Sequence, residues 1–189
     1  MNKKLLNKIF TLSLILGAMC LSAFSQNEKK TVDEKFVSAK DAAKNALNVG
    51  AKIPSFSLKD ATGKTVSSDD LLKDGNLVLV FYRGAWCPYC NTYLRKLQKN
   101  LPQIKAAGGQ LVAISVENAD KSSTIVKKNE LEYTVLSDSG LTVARSFGIV
   151  YEMPKETSEL YKSKGFDLAK YNNLEKAELP LSATYVINR

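Results

Sequence analysis

Apolar residues recur three and four apart at Val32, Phe36, Ala39, Ala43, Ala46 and Leu47, which predicts an amphipathic helix ending near Gly50. The period then changes. Ile53-Pro54-Ser55-Phe56-Ser57-Leu58 alternates like an edge strand carrying a proline, and Asp60-Ala61-Thr62-Gly63 reads as a tight turn. After a short helix near residues 68–72, Leu77-Val78-Leu79-Val80-Phe81-Tyr82 is an unbroken apolar run, the pattern of a parallel strand covered on both faces. A helical pattern follows over 88–107, with Leu94, Leu97, Leu101 and Ile104 on one face, Gly108-Gly109 as its stop and Pro102 predicting a kink. Next come a strand over 110–116, a helix over 119–129, a strand over 133–136 and a short helix over 141–147 before Gly148. Such alternation predicts α/β layers joined by right-handed crossovers. Residues 154–179 are polar and partly helical, interrupting the rhythm like an insertion, and Thr184-Tyr185-Val186-Ile187 forms a last strand.

The longest apolar run, Ile9 to Phe24, lies outside this rhythm and directly follows Lys3, Lys4 and Lys8. Basic, then apolar, then small residues is the order of a secretory signal peptide, and Ala23-Phe24-Ser25 places the cut between Ser25 and Gln26. Left uncleaved, the run is about as long as a short membrane span; Cys20 offers lipidation as a further alternative, although Met19 is bulkier than such a site wants. The expected organisation is a signal peptide over 1–25, a linker and helix over 26–50, and one globular domain over 51–189. The expected destination is the periplasm or cell envelope, with the membrane touched only through the signal segment.

Composition narrows the chemistry. The 189 residues include no histidine, which excludes Ser-His-Asp and Cys-His nucleophile pairs, His-ligated metals and His general bases. The net charge of +8 falls to +5 once the three lysines of the signal segment leave, and no basic stripe with interleaved aromatics points to nucleic acid. Cleavage also removes Cys20, so the mature chain keeps Cys87 and Cys90. Two thiols do not complete a tetrahedral metal site, and no cofactor is expected. In an oxidising compartment one close pair is a candidate redox-active disulfide.

Arg83-Gly84-Ala85-Trp86-Cys87-Pro88-Tyr89-Cys90 lies where a buried strand hands over to a helix. Cys87 is therefore expected at the helix N-terminus, where free amides and the helix dipole stabilise a thiolate and lower its pKa from about 8.5 toward about 4–7. Pro88 suits the first helical turn, because the hydrogen it lacks has no helical acceptor there. Cys90 returns to the same face one turn on, which assigns attack to Cys87 and resolution to Cys90. A static bridge is the bland alternative, but closing so short a loop constrains the unfolded chain weakly. Trp86 reads as a core aromatic, as a shield for the thiols, or as both.

Taken in order, Pro54-Ser55-Phe56-Ser57-Leu58, the stretch Val80 to Cys90, Leu136-Ser137-Asp138 with Val143-Ala144-Arg145-Ser146-Phe147-Gly148, and Leu179 to Ile187 resemble the peroxiredoxin-like branch of the alkyl hydroperoxide reductase and thiol-specific antioxidant (AhpC/TSA) family. The resemblance covers roughly residues 35–189 and implies a thioredoxin-like α/β fold, a central mixed sheet flanked by helices. It also implies an antioxidant oxidoreductase in which Cys87 reduces a peroxide and a thioredoxin-like thiol donor recycles it. The family's threonine three residues before the reactive cysteine is Gly84 here, its proline seven before is Val80, and the late-strand arginine position is Ser182. Thioredoxin's buried acid is replaced by Phe81. Arg83 reads either as the cation beside the thiolate or as a solvated loop charge, and Arg145 as pairing locally.

The Cys-Pro-Tyr-Cys tetrad is that of glutaredoxin, so a thiol-disulfide oxidoreductase acting on protein disulfides is a second reading, and a non-catalytic binding module on the same scaffold a third. The family's late strand is followed by a further strand and a terminal helix, whereas this sequence stops at Arg189. The expectation is a C-terminally incomplete domain, or else an exposed sheet edge that would invite pairing with another copy of the chain.

Overall fold

A computed structural model describes residues 36–189; the segment read as a signal peptide, with its expected cut and Cys20, and the first turn of the amphipathic stripe lie outside the described residues. Helix α1 (Ala39–Asn45) is opened by Ser38, whose hydroxyl accepts the Asp41 amide at 3.1 Å. It ends well before Gly50, because Ala46 already has extended geometry.

Strand β1 (Ser57–Asp60) pairs antiparallel with β2 (Thr65–Ser67) through a turn in which the Asp60 carboxylate accepts the Thr62 and Lys64 amides at 2.8 and 3.0 Å. Helix α2 (Ser68–Lys73) leads into β3 (Asn76–Phe81), α3 (Pro88–Ala106), β4 (Gly109–Ser115), α4 (Ala119–Asn129), β5 (Thr134–Ser137) and α5 (Thr142–Ser146). Helix α3 runs on past Pro102 to Ala106. After β6 (Val150–Glu152) come α6 (Lys155–Ser163), α7 (Leu168–Asn172), β7 (Glu178–Pro180) and β8 (Ala183–Ile187).

The main sheet has the order β2-β1-β5-β4-β3-β8, with β3, β4 and β5 parallel and β8 antiparallel at the far edge. This is the mixed sheet flanked by helices that the resemblance implies. One expectation is corrected. The strand predicted over 53–58 starts only at Ser57, and it is not an edge: β2 lies on one side and β5 on the other. Pro54 precedes the ladder, so its missing N–H breaks no pairing.

Alternation along the strands splits the core into two layers. Leu77, Leu79 and Phe81 join Val112, Ile114, Leu136 and Phe147 on one face; Val80 and Tyr82 join Leu94, Leu111, Ala113, Ile125 and Val135 on the other, under α3 and α4. Each fully buried Leu or Ile contributes about 1.5–3 kcal/mol relative to exposure. The stretch predicted as an insertion carries α6, α7 and β7, and β7 pairs with β6 in a second, two-stranded sheet. Arg145, expected to pair locally, instead forms an ion pair with Glu178 of β7, 33 residues along the chain.

The parallel register sets the site. Phe81 lies beside Ile114, so the chain continuing from each strand brings Gly84 and Glu117 to the same end of the sheet.

Candidate active site

Cys87 is the N-cap of α3, and Pro88 opens the helix behind it. The Cys90 amide points back at the Cys87 sulfur at 3.4 Å, the helix-end donation expected from the sequence. A second donor comes from the loop: Arg83 Nη2 lies 3.1 Å from the same sulfur. Arg83 is therefore the cation beside the thiol, and its guanidinium also interacts with the Tyr151 hydroxyl and lies 5.7 Å from the Trp86 ring centroid.

Both thiols are free and buried, Cys87 at 1% exposure and Cys90 at 5%. Burial alone would push the Cys87 thiol up. The Cys90 thiol and amide together with the Arg83 charge outweigh that, and hold it below its ordinary value. Cys90 moves the other way, raised by burial and then by its hydrogen bond to Cys87. The two sulfurs are thus pushed in opposite directions, Cys87 toward the thiolate and Cys90 toward the thiol. Arg83, despite partial burial, is kept firmly protonated by the neighbouring sulfurs.

The turn before Cys87 closes through a hydrogen bond from the Cys87 amide to the Gly84 carbonyl at 3.2 Å. Gly84 has φ +148°, and a Cβ there would lie 2.6 Å from Trp86 Nε1 and 3.0 Å from Glu117 Oε1. Where the family carries a threonine, this chain has placed an indole and a carboxylate instead. Trp86 is a core aromatic, packing against both core layers, and it is met by Tyr161 and Phe166 at ring-centroid distances of 6.1 and 5.4 Å.

Several residues of the site were not apparent from the sequence. Buried Asn91 donates to the carbonyls of Ala85 at 2.6 Å and Cys87 at 2.9 Å, and is oriented by Asn129, which is held in turn by Arg95. Glu117, fully buried, accepts the Ala85 amide at 2.8 Å and the Tyr171 hydroxyl at 3.0 Å. Burial raises the Glu117 carboxyl, an effect that these hydrogen bonds and the nearby Lys121 only partly offset. Two faint signals existed: an amide one turn after Cys87 on a helix, and a lone acid where the apolar β4 run stops, at the strand end where α/β sites gather. Ser182 is exposed just outside the Phe81–Ala183 pair, and among the described residues it makes no hydrogen bond to either cysteine.

The chain is 30% identical over 145 residues to the chloroplastic peroxiredoxin Q of Triticum aestivum, covering 75% of this chain and 66% of that protein. It is 36% identical over 106 residues to peroxiredoxin Bcp of Escherichia coli, covering 56% of this chain and 67% of the relative. The chain thus spans about two thirds of the length of these relatives. Among solved structures, peroxidoxin BcpB from Mycobacterium tuberculosis superposes with a TM-score of 0.59 at 24% identity, over 74% of this chain and 77% of that one, a likeness of fold. The model of the AhpC/TSA family matches residues 49–189, which takes in both cysteines and every strand of the sheet; the chain belongs to the AhpC/TSA family.

Proposed function

We propose that this chain is an exported thiol peroxidase in which the Cys87 thiolate reduces a peroxide and Cys90 resolves the product. The observation that carries the reading is the pair of donors converging on one buried sulfur, Arg83 at 3.1 Å and the Cys90 amide at 3.4 Å, at the start of a helix. That arrangement favours a thiolate and offers a fixed cation to an oxygen that becomes anionic beside the sulfur. The relatives named as peroxiredoxins support a peroxide as the oxidant.

In the first step the Cys87 sulfur attacks one oxygen of ROOH. A sulfur–oxygen bond forms, the O–O bond breaks, and the departing RO⁻ takes a proton from solvent to leave as ROH. The sulfur loses two electrons and becomes a sulfenic acid. The Cys90 thiol then attacks it: the S–S bond forms, the S–O bond breaks, and the hydroxyl leaves as water with the Cys90 proton. An external dithiol of the thioredoxin type exchanges with this disulfide, is itself oxidised, and restores both thiols. Export is supported by the basic, apolar and small order of residues 3–25.

A second reading, exchange with protein disulfides, is favoured by one observation. Tyr89, between the two cysteines, is 80% exposed and offers a surface for a polypeptide substrate. Turnover of hydrogen peroxide and of a protein disulfide, measured in parallel on wild type, Cys87→Ser and Cys90→Ser, separates the readings. The proposal expects peroxide consumption that is lost in the first variant and reduced in the second. Disulfide reduction without peroxide consumption would replace it with the second reading, and turnover of neither would leave a binding module.

A further inference from the structure

We infer that Glu117 is a positioning residue for Cys87: its buried carboxylate fixes the Gly84–Cys87 turn and so keeps Arg83 on the sulfur, while Tyr171 anchors the carboxylate from the far side. The inference rests on Cys87 being the reacting thiol.

A carboxylate with no exposure persists only where its oxygens are hydrogen bonded, and both Glu117 oxygens are engaged. One accepts the Ala85 amide. The carbonyl of the same residue accepts from Asn91, so both backbone polar groups of Ala85 are held by buried side chains. Ala85 is the first central residue of the turn that the Cys87 amide closes onto the Gly84 carbonyl. Arg83 precedes this turn and Cys87 ends it. Their side chains meet at 3.1 Å only while the turn keeps its shape.

Gly84 makes the arrangement sterically consistent, since a side chain there would meet Glu117 Oε1 and the Trp86 indole. The other oxygen of Glu117 accepts from Tyr171, on α7, and Lys121 of α4 donates to the Tyr171 carbonyl while lying 3.6 Å from its ring centroid. The groups facing Glu117 are thus Tyr171, Lys121 and Tyr82, and those facing Cys87 are Arg83, Cys90 and Tyr151. The segment after β6 thus reaches the reactive loop through this acid as well as through the Tyr161 and Phe166 rings on Trp86.

The test is the rate of Cys87 alkylation by iodoacetamide as a function of pH, in a Cys90→Ser background. Glu117→Ala is expected to move the midpoint upward by about one unit, so that the rate at acidic pH falls about tenfold while the alkaline plateau is unchanged. Glu117→Gln, which still offers an oxygen to the Ala85 amide, should recover most of the loss. With Arg83→Met already present, Glu117→Ala should add nothing, because both act through the same contact. A folded Glu117→Ala variant with an unmoved midpoint, or a full further shift on top of Arg83→Met, overturns the inference. Should the alanine variant fail to fold, Tyr171→Phe removes one bond to the same carboxylate; a smaller upward shift supports the inference and none overturns it. Alkylation involves no peroxide, so absence of peroxide turnover would sink the proposed activity and leave this result standing.

Discussion

Arg83 reaches forward along its own chain to Cys87, four residues away, and sets a guanidinium nitrogen 3.1 Å from the sulfur. Where the family brings a cation from the late strand, this chain has Ser182, exposed and unengaged with the thiols. The positive charge beside the sulfur comes from the loop that carries it. A charge-assisted hydrogen bond of this kind favours the thiolate and holds the Cys87 thiol down against its burial.

Arg83→Met should therefore raise the Cys87 thiol, and stability against pH reports it. With Cys87 lowered in the folded state, the reduced protein carries stability that is fully present above the ordinary thiol value and is lost as pH falls through the folded value. Cys90 is raised and acts with the opposite sign, so the measurement belongs in a Cys90→Ser background. Urea unfolding at acidic and mildly alkaline pH should show a smaller pH dependence in Arg83→Met than in its parent.

Cys90→Ser should accumulate the intermediate that Cys90 otherwise consumes. After one equivalent of peroxide, mass spectrometry should find Cys87 carrying one oxygen atom and able to form an adduct with dimedone. In wild type the label should be scarce and a Cys87–Cys90 disulfide should replace it.

Gly84→Thr restores the family's residue type and is expected to destabilise this chain. The new side chain would meet Trp86 Nε1 and Glu117 Oε1 at a backbone angle that L residues rarely adopt. Strain and overpacking together predict a loss of roughly 2–4 kcal/mol by chemical denaturation, with reduced thiol reactivity rather than a gain.

Asp138→Ala tests the fold away from the sulfur. The buried Asp138 carboxylate accepts the Val143 and Ala144 amides at 3.0 and 2.8 Å, tying the end of β5 to α5. Leaving both donors unmade should destabilise the protein by about 2 kcal/mol while Cys87 titrates as before.

What the sequence made legible was local. An apolar run followed by Cys87, Pro88 and Cys90 carries its own strand end, N-cap and first helical turn, so the reactive pair could be placed without knowing its neighbours. Glu117 and Asn129 take part only through tertiary pairing: Glu117 meets Gly84 because β3 and β4 lie in a particular parallel register, which no periodicity along the chain encodes. Strands β6 and β7, three residues each, are too short for alternation to appear. The misplaced edge strand had a similar origin, since a period of two reports which faces are covered and not how many neighbours a strand has.

In the proposed reaction one sulfur attacks and its neighbour completes the turnover. Trp86, the chain's sole tryptophan, directly precedes Cys87 and packs against the core cluster that holds both thiols, and so serves as an internal reporter. Reduced protein mixed with hydrogen peroxide in a stopped-flow fluorimeter should show a first phase proportional to peroxide concentration, then a second independent of it. Cys87→Ser should abolish both phases and Cys90→Ser only the second. A fluorescence response that survives in Cys87→Ser, or none in wild type at neutral pH, contradicts the account.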